Sequence, residues 1–274
     1  MVSPPDPPLR QLVRDTAQQL LDQIGTRPRV AMLLGTGHAS ISSQLEGKLQ
    51  LHDEDRIRLA EDSHLVAGKL DDVVVVVGDA PLAPYEGYAA IDVTFPVRVL
   101  QAMGIDLLVL TAGAASLSRQ LEPGSIAIIE DHLNFTNMHP LQGQQVAELG
   151  PRFPDMSDPY PRRWRKLARD VANEVGVVAL EGVFAAVPGP SLPTRAEYRF
   201  LRRAGADLVG MSLVPEVLAA VHSGLDVLAL VGITQFVEVD SANPADIEQM
   251  LDAADLAAPR MASLLSGIVA SFAR

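Results

Sequence analysis

The sequence contains no cysteine. That excludes disulfides, thiolate metal sites and a cysteine nucleophile, and it fits a reducing compartment. Positive charge is also scarce: 22 lysines and arginines stand against 34 aspartates and glutamates, a formal net charge of −12. Such an acidic balance repels a nucleic-acid backbone or an anionic membrane, so neither is expected as a partner. It says little about a small substrate. No apolar run approaches the ~20 residues that a membrane-spanning helix needs. The opening MVSPPDPPLR carries no apolar signal core. A soluble, cytoplasmic protein is the expectation. His38, His52, His64, His132, His139 and His222 include no i,i+4 pair, so no metal is expected.

What is present is ample core. The chain has 274 residues, 48% of them apolar, enough for one large domain. Residues 1–8, rich in proline, read as a disordered lead, and 9–274 as one domain. Leu9, Leu12, Val13, Leu20, Leu21 and Ile24 recur at helical spacing, and Gly25 suits the end of that helix. Apolar runs at 29–35, 73–77, 106–113, 125–132, 177–189, 206–211 and 226–234 read as strands. Helices are expected over 90–103, 162–175, 194–204, 215–224 and 245–271, with Pro96 early in its helix or kinking it. Residues 133–162 are irregular and carry several prolines, which marks a functional loop or an interface. Apolar strands alternating with helices give an α/β fold with a mostly buried sheet.

Several short motifs carry candidate chemistry. In LLGTGHAS (33–40), Gly35-Thr36-Gly37 follows a strand. Glycines let backbone N–H groups approach an anion, and the threonine hydroxyl can donate as well; a tight turn is the alternative. A dinucleotide fingerprint is weaker, because no convincing helix-then-strand follows. Ser212, ahead of the helix start Val214-Pro215-Glu216, offers a second anion site. PGPS (188–191) is a turn between strand and helix, where open α/β sheets bind ligands. Tyr85 and Tyr88 in YEGY form either a wall for a sugar or a packing corner. His64 is either a mobile proton carrier or a solvated histidine.

Taken in order, LLGTGHAS, HLVAGKL, YEGY with VTFPVRVLQAMGID, LEPGSIAIIEDHLNF, RFPDMSD, VPGPSLPTRAEYRFLRRAGADLVGMSLVPEV and GITQ resemble the trimeric purine nucleoside phosphorylase family over nearly the whole chain. The resemblance implies a single α/β domain, nucleoside phosphorylase-like, with a mixed, partly barrel-like sheet flanked by helices. It implies a homotrimer with active sites near subunit interfaces, and a place in purine salvage. The implied reaction is phosphorolysis, with inorganic phosphate as co-substrate and no metal or organic cofactor. Phosphate attacks the anomeric carbon of a purine ribo- or deoxyribonucleoside, giving free base and pentose 1-phosphate. By the same resemblance Thr36, the Gly113 backbone N–H and Ser212 hold phosphate. His64 and Tyr85 are the catalytic candidates. Tyr85, Met211, Val209, Leu192, Gln235 and Phe153 contact the nucleoside, Phe153 being lent by a neighbouring subunit.

The sequence departs from that family at charged positions. An arginine and a histidine before the YEGY-type motif align with Pro81 and Ala83. Ala112 replaces an asparagine, Pro193 the acid that binds the purine, and Gln235 the base-contacting asparagine. The histidine before the last helix has no counterpart. Two lost charged hydrogen bonds, at roughly 1.5–3 kcal/mol each, weaken phosphorolysis about 10²–10⁴-fold unless another cation substitutes. His38 and Arg119 are the candidates for that. The reading is therefore a phosphorylase with weakened or altered activity; the alternative is a catalytically inactive homologue acting as a binding or structural protein. Hydrolysis, with water in place of phosphate, has neither a metal cluster nor a clear general base to support it.

Overall fold

The structure is a computed structural model that describes residues 8–35, 39–52, 64–79, 81–143, 147–239 and 245–273. Helix α1 (Leu9–Ile24) forms because Val13, Ala17 and Leu20 fall on one buried face. Gly25 ends it at φ 70°, its amide returning to the Leu21 carbonyl. The runs that follow, apolar on both faces, become strands: β1 (Val30–Leu34), β4 (Val73–Asp79) and β5 (Leu107–Ser116). β1 lies parallel between β4 and β5. Both faces of this parallel core are covered, which is why its strands read as continuous apolar runs.

Alternate residues of these strands feed two packed layers. Ala31, Leu33, Leu108 and Leu110 join α1, α2 (Ala90–Ala102) and α5 (Val214–His222). Val30, Met32, Leu34, Leu107 and Val109 face α3 (Arg162–Glu174) and α6 (Ile247–Ala270). The remaining helix, α4 (Arg195–Arg203), covers a smaller cluster with Val209 and Val239.

Strands β6 (Ile126–Asn134), β7 (Ala179–Ala186), β8 (Leu208–Gly210) and β9 (Val227–Phe236) complete the sheet. β5, β8, β7, β6 and β9 pair in a closed ring, since β9 also bonds to β5. The mixed, partly barrel-like sheet is thus a five-stranded ring with β1, β4, β3 (Leu65–Leu70) and β2 (Glu46–Gln50) extending from it.

Three details differ from the sequence reading. β2 and its partner β3 were not expected: all five positions of EGKLQ are exposed, so β2 shows no apolar alternation and exists through pairing with β3. β8 is only Leu208–Gly210, because the chain leaves the sheet at Met211. Pro96 sits inside α2 rather than early in it, and the helix continues to Ala102 at the loss of one backbone donor.

Candidate active site

The site forms where β1 stops. β1 accompanies β5 as far as Leu34↔Thr111, and β8 takes over at Ala115↔Val209. Between them Ala112, Gly113 and Ala114 are bordered by neither strand, and Gly113 is the one exposed residue of β5. Gly35 turns the chain away at this point. Its N–H donates to the Thr111 carbonyl at 3.0 Å and to Thr111 Oγ1 at 3.1 Å. A Cβ on Gly35 would lie 2.7 Å from the Thr111 carbonyl oxygen, so only glycine fits this approach.

Past β8, Met211 and Ser212 lead into a strained turn. Leu213 has φ 72° and ψ −51°, and the Val214 N–H returns to the Ser212 carbonyl at 2.9 Å. This γ-turn geometry is rare, and a bulky residue holds it here because its side chain is buried, 3% exposed. The turn fixes Ser212 at the N-terminus of α5. Pro215 has no N–H, and the Glu216 amide bonds its own carboxyl. α5 therefore adds the positive end of its dipole but few free donors.

The opposite wall is the PGPS turn. Gly189 has φ 66°, and a Cβ there would meet Met211 Sδ at 2.4 Å. Past Leu192 and Pro193, a capping box pins the turn: Glu197 Oε2 accepts the Thr194 N–H at 2.6 Å, and Thr194 Oγ1 accepts the Glu197 N–H. A third wall is the short turn Pro84–Glu86, held by the Ala83 N–H donating to Glu86 Oε2 at 3.1 Å. On β9 a bulge shifts the register between Ala114↔Ile233 and Ala115↔Gln235. Thr234 is the extra residue; its hydroxyl donates to the Ala114 carbonyl at 3.2 Å, and both Thr234 and Gln235 line the site.

These walls enclose about 410 Å³, within the range of roughly 300–1,000 Å³ typical of small-molecule sites. The cavity brings together Gly113, Ser212, Met211, Val209, Leu192, Gln235 and Tyr85 from the sequence reading. Pro81, Ala83, Ala112 and Pro193, where the resemblance leads one to expect polar groups, line it too. Among the described lining residues there is no lysine, arginine or histidine; the charged ones are Glu86 and Glu216.

Other expectations fall elsewhere. Thr36 and His38 lie outside the described residues. His64 is exposed beside the start of β3 and does not line the cavity; its carbonyl accepts the Asp79 N–H at 3.0 Å. Burial pushes the Asp79 carboxyl up, while His64 and Lys48 pull it down. Arg119 is not the substitute cation: it is exposed, 3.7 Å from Glu238 and outside the lining. Phe153 is 88% exposed, with the Arg152 guanidinium 5.9 Å from its ring, and does not line its own chain's cavity.

Glu216 is the site residue that sequence reasoning missed. It is 2% exposed and its Oε2 has no partner. Burial pushes its pKa up to about 7, against the hydrogen bond from its own amide. The buried Tyr160 hydroxyl is raised by burial first, then by Asp131 and Glu216. It lies 3.0 Å from Nδ1 of His132, whose pKa burial lowers. An acid in the first turn of a helix is commonplace in sequence. That this turn is walled in appears only once α5 packs on the sheet.

Comparison with known proteins agrees with this geometry. The model of the phosphorylase superfamily matches residues 29–270. Purine nucleoside phosphorylase 1 of Geobacillus stearothermophilus is 39% identical over 227 residues, covering 81% of this chain and 83% of the relative. The bovine purine nucleoside phosphorylase is 37% identical over 272 residues, 94% of each chain. A crystal structure of a Schistosoma purine nucleoside phosphorylase in complex with hypoxanthine superposes with a TM-score of 0.90 at 29% identity, covering 95% of this chain and 96% of the other. This chain belongs to the purine nucleoside phosphorylase family, within the phosphorylase superfamily.

Proposed function

We propose that this chain catalyses phosphorolysis of a purine ribo- or deoxyribonucleoside, with inorganic phosphate as co-substrate and with a phosphate site weaker than the family's. The observation that carries this is the single cavity joining Gly113 and Ser212 to Tyr85, Met211 and Gln235. Phosphate lies against the Gly113 amide and the Ser212 hydroxyl, near the positive end of α5. One phosphate oxygen forms a bond to the anomeric carbon as the bond from that carbon to the purine nitrogen breaks; the electron pair leaves with the base. The cavity orients the two reactants, and the Gln235 amide donates to the departing base. Tyr85 and Met211 flank the pentose.

The related Schistosoma enzymes have been crystallised with hypoxanthine, adenosine, inosine and guanosine, which supports a purine substrate. The exposed Phe153 ring supports assembly as a homotrimer in which it reaches a neighbour's cavity. A cytoplasmic place in purine salvage fits the same reading. Family membership favours a working enzyme over an inactive homologue.

The test is base release from inosine, guanosine and adenosine at high enzyme concentration, with and without phosphate. Release that rises with phosphate and yields pentose 1-phosphate is expected. Equal release in both arms indicates hydrolysis, and none in either indicates a binding protein.

A further inference from the structure

A second cavity, of about 180 Å³, lies at the other end of α5, between α1, α2 and the segment 139–152. Arg98, on α2, lines it and is 5% exposed. A buried guanidinium has five N–H donors and normally pairs with a carboxylate. Here its hydrogen bond runs from Nη1 to His222 Nδ1, 3.4 Å away. Burial and then the neighbouring Arg98 lower the His222 pKa, which favours the neutral ring that can accept at Nδ1. No described carboxylate pairs with Arg98, and no acidic residue lines the cavity. The nearest acid of that segment, Glu148, is taken by Arg10 at 3.0 Å.

The remaining polar lining is also made of donors. Arg152 bonds the Leu141 and Gly143 carbonyls through Nη1, and its remaining guanidinium N–H groups have no described hydrogen-bond partner. His139 Nδ1 accepts the Leu141 N–H, so its Nε2 carries a proton. Gln142 adds an amide. The volume is below the roughly 300 Å³ at which small-molecule sites begin, so a nucleoside does not fit. We propose that this cavity is a second anion site, in which Arg98, Arg152 and His139 bind one small oxyanion of the phosphate or sulfate class. Planar guanidinium forks match the oxygen edges of such ions. The ion would balance a buried charge and tie His139 and Arg152 to α2 and α5.

Selenate, a sulfate analogue with an anomalous signal, tests this without any readout of turnover, so the result is separable from the phosphorolysis assay. Crystals grown with selenate should show a peak between Arg98 and Arg152. Calorimetry with sulfate in solution should show a site that Arg152→Ala weakens roughly tenfold or more. Arg152 is exposed, so that variant should fold. Arg98→Lys, which keeps charge but not the fork, should weaken the same site. Water alone beside Arg98, a carboxylate from another copy filling the cavity, selenate seen in crystals with no binding in solution, or unchanged affinity in Arg152→Ala each overturns the proposal.

Discussion

Glu216→Gln isolates the energetic consequence of an unpartnered acid beneath the active-site cavity. Glutamine matches the shape of the glutamate but does not titrate. In the wild type the folded pKa is about 7 against an ordinary 4.5. Between those values the folded protein holds a proton that the unfolded chain has released. The contribution to stability is therefore complete below about pH 4.5 and is lost as pH rises through about 7. The window from 4.5 to about 7 spans about 2.5 pH units; at about 1.36 kcal/mol per unit it amounts to roughly 3 kcal/mol. Because Glu216 is 2% exposed, solvent screening reduces this little.

Urea unfolding of both proteins at intervals from pH 5 to pH 8 measures it. Asp79, raised by burial, and His132 and His222, lowered by burial, also titrate, but they are common to both proteins and cancel in the difference. A constant offset from the new amide does not affect the slope. Relative to Glu216→Gln, the wild type should lose about 2–3 kcal/mol between pH 5 and pH 8. Parallel stability curves would refute the assignment of a buried, neutral Glu216.

Three further outcomes follow from the site. Pro81→Arg with Ala83→His should raise kcat/KM for phosphate by about tenfold or more, since each cation adds a charge-assisted hydrogen bond; an unchanged phosphate dependence of inosine cleavage would move the phosphate elsewhere. Gly35→Ala should cost about 1–3 kcal/mol and depress activity, because its Cβ would meet the Thr111 carbonyl at 2.7 Å. An unaltered denaturation midpoint would contradict that packing. Phe153→Ala should leave stability within about 0.5 kcal/mol, because the ring is 88% exposed. It should lower kcat/KM for the nucleoside roughly fivefold to tenfold; full activity would deny the ring a place in a neighbour's site.

Much of this architecture was legible because burial writes itself into composition. The runs that become β1, β4, β5 and β9 are apolar since both their faces are covered, and Gly25 marks a helix end through its left-handed φ. What escaped depends on contacts between distant segments. β2 has no buried face, so nothing in EGKLQ distinguishes it from a loop. Thr234 reaches the cavity through a bulge defined only by pairing with β5. The two displaced charges are the sharper case. Glu216 looks like an ordinary helix-start acid, and Arg98 like a solvated arginine on a largely apolar helix. Folding buries both. Glu216 lies in the first turn of α5, beside the amide and hydroxyl donors of the larger cavity; His222, which contacts Arg98, is the last residue of the same helix. The scarcity of cations in the sequence thus has a spatial form. The large cavity holds two acids, Glu86 and Glu216, and no described basic residue, while the small one holds basic side chains and no described acid. Among the described residues an oxyanion in the first meets only neutral donors, whereas in the second it meets charge that has no other described counter-ion.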